Sequence, residues 1–316
     1  MGQLLFLFLG MFGLELFYLK VADHFNIIDR PNQRSSHSIP TIRGGGVIFV
    51  LAILGFSIFM DIEYWPLALA VLLSGAISFI DDLKSLPTWL RAGFHFLSVS
   101  IIWYFLDGFS LNFLWFPLFV VIAIGTVNAY NFMDGINGIT GWYSLSIAIP
   151  LLFLTNDFSI HQPLMWVSIS LLVFNFFNSR RKARCFAGDV GSVGIAMLLI
   201  YFVLQQILIT GNWSYIFLFG LYGIDTIFTI IQRLFEKENI FEAHRKHLYQ
   251  YLANELQWPH LFVSAIYFIL QTSFNVFLIF YHPNLSILAI LVSIQALVYI
   301  FVKRWIYVNK IRLKLT

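Results

Sequence analysis

Long apolar runs broken by short polar stretches follow one another along the whole chain. They open near residues 3, 46, 66, 92, 113, 141, 164, 192, 214, 260 and 285, and they approach the roughly 20 residues that carry a helix across a hydrocarbon core. Lipid offers no partner to a free N–H or C=O, so segments of this kind span as helices. The pattern predicts an all-α polytopic membrane protein with about 11 transmembrane helices. No internal repeat, low-complexity tract or Pro/Ser linker interrupts it, so residues 1–316 are expected to form a single integral membrane domain.

Composition agrees, with 59% hydrophobic and only 11% charged residues, where a soluble domain carries about a quarter. The distribution of cations adds an orientation. The turns at 61–65, 107–112, 155–163, 211–213 and 281–284 hold no Lys or Arg, and all 19 lie between the other span ends. Lys and Arg stay in the cytoplasm, which predicts an outside N-terminus and a cytoplasmic C-terminus. The net charge of +3 then reflects sidedness, and no nucleic acid is needed to explain it. The first run, "LLFLFLGMFGLELFYL", lacks a basic leader and a small-residue cleavage site, so it is expected to stay as an anchor. One cysteine, Cys185, excludes an internal disulfide and a Cys-based zinc cluster.

Five inward loops hold the candidate chemistry. "DRPNQRSSHSIPTIRGGG" (Asp29 to Gly46) brings His37, Arg43 and a glycine triplet to a helix start, where free N–H groups face an anion and glycines admit close backbone approach. A plain basic loop would look similar. "FIDDLKSLPTWLR" sets Asp81 and Asp82 side by side at the end of an apolar run, with Lys84 and Arg91 following; paired acids at a membrane surface call for a cation. "NAYNFMDGINGITG" repeats Asn128, Asn131 and Asp134 every three residues, close to one helical face, and continues through Gly135 to Asn137. "RRKARCFAGDVGSVGIA" flanks Asp189 with glycines at a helix entrance, suited to a metal ligand or to a helix cap. "RLFEKENIFEAHRKHLYQYL" clusters His244, Arg245 and His247 without the further ligands a zinc site needs, so phosphate contact or a solvated face fits better. Asp225, inside the ninth run, reads as a structural hydrogen-bonding acid, as do Glu15 and His95.

Acids, amides and a cationic shell at one membrane face suit Mg²⁺ and phosphate. At this point the chain resembles the polyprenyl-phosphate N-acetylhexosamine-1-phosphate transferases, glycosyltransferase family 4. The resemblance rests on "HSIPTIRGGG", "DDLKSLPTWLR", "NAYNFMDGING", "FAGDVGS" and "HRKHLYQ" in the family's order. It implies transfer of a sugar 1-phosphate from a UDP-N-acetylhexosamine to undecaprenyl phosphate in the bacterial inner membrane, with release of UMP and the active site facing the cytoplasm. It implies Mg²⁺, with Mn²⁺ as the alternative, held by Asp189 and Asn131. Asp81, Asp82, Asp134 and Asp189 become the expected catalytic residues. His37, Arg43, Lys84, Arg91, Asn128, Gly135, Asn137, His244, Arg245 and His247 become the expected substrate-binding residues, and a homodimer is compatible.

Two positions depart from the family pattern. Asn137 stands where many bacterial members have an aspartate, which reads as a nucleotide contact that needs no charge and would tolerate aspartate. "HRKH" replaces the three-histidine run of the phospho-MurNAc-pentapeptide transferases, so the resemblance favours the O-antigen initiating branch, with UDP-GlcNAc or a 6-deoxy relative such as UDP-FucNAc or UDP-QuiNAc as donor. The pentapeptide branch is the alternative. A transporter or flippase would place acids near the bilayer midplane, and a non-catalytic scaffold would leave the acid and amide series without a purpose.

Overall fold

A computed structural model of the chain describes residues 2–31, 36–154, 158–240, 242 and 244–315. Arg34 of the first basic loop and residues 155–157 of the expected outward turn lie outside them. Among the described residues eleven long helices stand where the apolar runs placed them: α1 (Gly2–His24), α2 (Val47–Phe59), α3 (Trp65–Leu83), α4 (Thr88–Phe105), α5 (Trp115–Met133), α6 (Ile139–Leu154), α7 (Phe158–Asn178), α8 (Gly188–Thr210), α9 (Gly220–Phe235), α11 (His260–Tyr281) and α12 (Leu285–Leu315), with a single helical turn α10 (Leu248–Gln250) between α9 and α11. Eight segments are long and apolar enough to cross a membrane. Two others, α2 and α6, are apolar but shorter, and α4 carries Arg91 and His95, which lower its apolarity.

Local chemistry sets the ends. Pro66 sits in the first turn of α3, where its missing N–H costs nothing. Pro87 and Pro259 precede α4 and α11, and Gly211 closes α8 with φ +68°, the left-handed conformation glycine reaches freely. One departure from an all-helical chain is small. Ile28–Asp29 (β1) pairs antiparallel with Thr41–Ile42 (β2), and Ile42 bridges in parallel to Cys185.

The centre of the bundle is α8. Every residue from Val190 to Leu204 is buried, against α3 and α5 on two sides. At its start α8 crosses α2 so closely that a Cβ on Gly191 would lie 2.6 Å from the Gly46 Cα, and one on Gly46 would lie 2.2 Å from the Gly191 Cα. The glycine triplet expected to admit a ligand is thus used, at Gly46, for contact between helices. Glu15 is buried in α1 and accepts a hydrogen bond from the Cys185 thiol at 3.5 Å, and His95 Nε2 lies 3.4 Å from the Ser78 hydroxyl, so both act as structural groups.

Candidate functional site

The five loops that hold the candidate chemistry meet at one end of the bundle, and each contributes to the wall of a single polar cavity of about 170 Å³. Two loops are laid side by side: Phe186 N–H donates to Ile42 O at 2.8 Å, Gly45 N–H to Phe186 O at 2.8 Å and Gly46 N–H to Ala187 O at 3.1 Å. This pairing brings Gly44 against Gly188, where a Cβ would sit 2.9 Å from the Gly44 nitrogen and 2.8 Å from Asp82 Oδ2. Both glycines have positive φ, +83° and +69°. Only a residue without a side chain satisfies both demands.

Asp82 Oδ2 accepts the Asp189 N–H at 2.7 Å, so the Asp82 carboxylate caps the start of α8 and meets the positive end of its dipole. Its Oδ1 pairs with Arg43 Nη1 at 3.1 Å, while Arg43 Nη2 reaches Asp29 Oδ1 at 2.9 Å. Arg43 is itself fixed by Tyr18, whose hydroxyl donates to the Arg43 carbonyl at 2.6 Å. Asp134 follows the end of α5 and accepts the Thr140 hydroxyl at 2.6 Å. Burial raises its carboxyl to about 7; the Thr140 bond opposes the rise and the charge of Asp189 adds to it. Asn131 links α5 to α8, with its amide hydrogen-bonded to the Asp189 carboxyl and donating to Ser192 Oγ at 3.4 Å. Among the described residues the cavity wall therefore carries Asp29, Asp82, Asp134 and Asp189 against one guanidinium, Arg43. The carboxyls remain short of positive charge, and every nearby ligand atom among these groups is an oxygen.

The description "Glycosyl transferase family 4" matches residues 64–207 of this chain. That stretch contains Asp82, Asp134 and Asp189 of the cavity, and Asn131. The chain is similar to the phospho-N-acetylmuramoyl-pentapeptide-transferase of Dictyoglomus thermophilum, 29% identical over 216 residues, covering 61% of this chain and 67% of the relative. It is also similar to the undecaprenyl-phosphate alpha-N-acetylglucosaminyl 1-phosphate transferase of Thermotoga maritima, 25% identical over 77% of this chain and 78% of the relative. A probable undecaprenyl-phosphate N-acetylglucosaminyl 1-phosphate transferase of Bacillus subtilis is 24% identical, over 74% and 71%.

The cavity gathers seven of the expected residues: His37, Arg43, Asp82, Asp134, Gly135, Asn137 and Asp189. Asn131 stands behind Asp189. Asp81 turns elsewhere, pairing with Arg91 Nη1 at 2.7 Å and accepting the Leu86 N–H at 2.7 Å. Consecutive residues on a helix point about 100° apart, so one of the two acids enters the cavity and the other closes the α3–α4 loop. Lys84 is exposed at the end of α3. Asn128 is exposed as well, because three-residue steps drift about 60° each and put it about 120° from Asp134.

The last loop lies against the outer side of the Asn131–Asp134 turn. The His244 and His247 rings each sit 6.2 Å from the Phe132 ring, and the Tyr249 hydroxyl donates to the Phe132 carbonyl at 3.0 Å. Gly135 is explained by this contact, since a Cβ there would stand 2.2 Å from that hydroxyl. Burial, then the neighbouring His247, Arg233 and Lys303, lower His244 to about 4, so its imidazole is neutral at pH 7. Neither His244, Arg245 nor His247 lines the cavity; Gln250 does.

Asn137 is buried, and its amide donates to the carbonyls of Arg180 at 2.7 Å and Arg181 at 3.4 Å. A carboxylate has no hydrogen to donate, so the expectation that this position tolerates aspartate is reversed. The sequence reading also missed Asp29, Thr140, Asn178, Phe186, Gln250 and His260. Asp29 left a signal, a lone acid opening a basic loop. His260, at the start of α11 with its Nδ1 accepting the Asn137 N–H at 3.5 Å, left none.

Proposed function

We propose that this chain transfers an N-acetylhexosamine 1-phosphate from a UDP-sugar to undecaprenyl phosphate and releases UMP. An oxygen of the lipid phosphate forms a bond to the phosphorus next to the sugar, and the bond from that phosphorus to the bridging oxygen breaks, so UMP leaves with that oxygen. The observation that carries the reading is the convergence of Asp82, Asp134 and Asp189, from three separate segments of the stretch that matches family 4, on one polar cavity with one guanidinium among the described residues.

The donor set fits Mg²⁺. Among the described residues no three His, Cys, Asp or Glu side chains close into a metal cage, and magnesium prefers one or two protein oxygens shared with substrate phosphates. Asp189 and Asn131 would hold it, and when bound it would offset the charge of the donor diphosphate. Asp134, with a carboxyl raised to about 7, is matched to take the remaining proton of a phosphate monoester, whose second pKa is about 6. It is also the group that would serve as nucleophile if the reaction ran in two steps. Asp82 fixes Arg43 and the start of α8, and Arg43 offers its charge to the phosphates. Asn137, Gly135 and Phe186 form the wall that would face the nucleotide. Asp81 and Arg91, paired to each other, shape the loop where Lys84 meets the lipid headgroup.

The names of two relatives and the "HRKHLYQ" loop support UDP-GlcNAc or a 6-deoxy relative as donor and a role in starting O-antigen or another cell-surface polysaccharide. The cation pattern supports eleven crossings in the bacterial inner membrane, with the cavity facing the cytoplasm. The test is detergent-purified protein with Mg²⁺, undecaprenyl phosphate and a panel of UDP-sugars that includes UDP-MurNAc-pentapeptide. UMP release with a UDP-N-acetylhexosamine is the expected result. Release only with the pentapeptide donor would move the chain to the other branch, and none from folded protein with any donor would overturn the reading.

A further inference from the structure

The turn that brings Gly135, Ile136 and Asn137 into the cavity wall is held from outside itself. It joins the end of α5 to the start of α6, and its own main chain closes Gly135 N–H on Met133 O and Ile139 N–H on Ile136 O, neither of which touches Asn137. Both peptide groups of Asn137 are bound by α11 instead. The Ser264 hydroxyl donates to the Asn137 carbonyl at 2.8 Å, and the Asn137 N–H donates to His260 Nδ1 at 3.5 Å. His260 and Ser264 are four residues apart, so one helix face presents both. The His260 ring is also hydrogen-bonded to the main chain of Ser36, which ties the first loop to the same point.

Ser264 does not behave as the other helix serines do. Ser74, Ser100 and Ser168 return their protons to carbonyls four residues back in their own helices, at 3.1, 2.8 and 2.8 Å, the common use of a serine inside a helix. Ser264 is fully buried and gives its proton to a carbonyl 127 residues earlier in the chain. The end of the cavity that it fixes leads away from the acids. A second cavity of about 140 Å³ shares Ser36, His37, Asn137, Phe186 and His260 with the first, is lined by neither Asp82, Asp134 nor Asp189, and opens onto the exposed Arg181 and Lys182. Ligand cavities usually hold about 300 Å³ or more, so a nucleotide sugar whose diphosphate meets the acids in the first cavity extends its unreacting part past Asn137 into the second. The lipid brings only a phosphate to the acids and has no such need.

We infer that His260 and Ser264 are positioning residues for the donor, which act through the Asn137 peptide by fixing the wall between the two cavities. The inference rests on the transferase reading. It extends the site to α11, which lies beyond the residues 64–207 that match the family.

Saturation curves for donor and acceptor test it in Ser264→Ala, His260→Ala and His260→Asn, with the unfolding midpoint in detergent followed for each. The two alanine variants are expected to raise the Michaelis constant for the UDP-sugar by about 10- to 100-fold, the cost of a displaced positioning group. Their kcat and their constant for undecaprenyl phosphate should stay within about twofold of wild type, because donor binding alone is lost. His260→Asn sets an amide oxygen near the place of Nδ1 and keeps an acceptor for the Asn137 N–H, so it should lose no more than about threefold. Unchanged donor constants in the folded alanine variants, or an equal rise for the lipid, overturn the inference while the transferase reading stands. A loss in His260→Asn as large as in His260→Ala makes the ring itself the contact and overturns the positioning role. His260 is half-buried and carries the same test should Ser264→Ala lose its fold. Wild-type protein that releases no UMP with any donor removes the transferase reading first and this inference with it.

Discussion

One buried acid, Asp225, and a group of half-buried acids around the cavity differ in how their charge is met. Asp225 is surrounded by donors, five of them directly on its two oxygens. In the cavity, among the described residues, Asp82, Asp134 and Asp189 share the one guanidinium of Arg43 with Asp29, and Asp134 is pushed up to about 7. A buried acid with all its partners in the protein ties elements together. A group of acids short of positive charge stores a demand that only something from outside can meet, and that separates the site from the scaffold.

The contrast breaks if substitutions in the two regions have the same consequences. The largest effect is expected from Asp225→Leu, which leaves two tyrosines, Thr229, His247 and a backbone N–H without their acceptor; loss of about 3–5 kcal/mol should appear as a large drop in the unfolding midpoint in detergent. Asp189→Asn should do the reverse, lowering UMP release by about 10²- to 10³-fold at an unchanged or raised midpoint, because a like charge is relieved. If Asp189→Asn unfolds the protein and spares turnover, the division between site and scaffold fails.

A pH titration sharpens the comparison further. Folded Asp134 keeps its proton to about 7, and the unfolded residue releases it near 3.8. Between these values the folded state binds the extra proton, so this residue's contribution to stability falls as pH rises from about 4 to about 7 and levels off above. Chelator-treated protein should show that slope, and Asp134→Asn should flatten it. The smallest effect is expected at Asn137→Asp, where the two donated bonds to Arg180 and Arg181 are lost for about 1–3 kcal/mol. An unchanged midpoint there would restore Asn137 to a role in contact with ligand alone.

The helices were legible because lipid demands long apolar runs and polar residues mark their ends, so eleven starts could be placed from the pattern. The acids were legible as chemistry because an aspartate at a membrane surface is costly without a partner. Which of two adjacent acids faces inward depends on helix register, and that separated Asp82 from Asp81. The same register turned Asn128 out to the surface while Asp134 entered the wall. Asn137 was misread because donor and acceptor roles of an amide follow from carbonyls some forty residues away. Lys303, counted from sequence as a flanking cytoplasmic cation, is buried at the Asp225 cluster. His260 and Asp29 reach the cavity by tertiary folding alone.

The Asp225 cluster also has a history in time. Its acid enters the membrane 42 residues ahead of Tyr267 and 74 ahead of Tyr299, so for much of synthesis the growing chain holds an acid whose partners do not yet exist. Local structure supplies only Thr229 at that stage. The turn bearing His247 is made next, and α12 completes the set. The order of birth along the ribosome thus runs opposite to the order of need: the segment that completes the cluster with Tyr299 and Lys303 is the last of its members to be made.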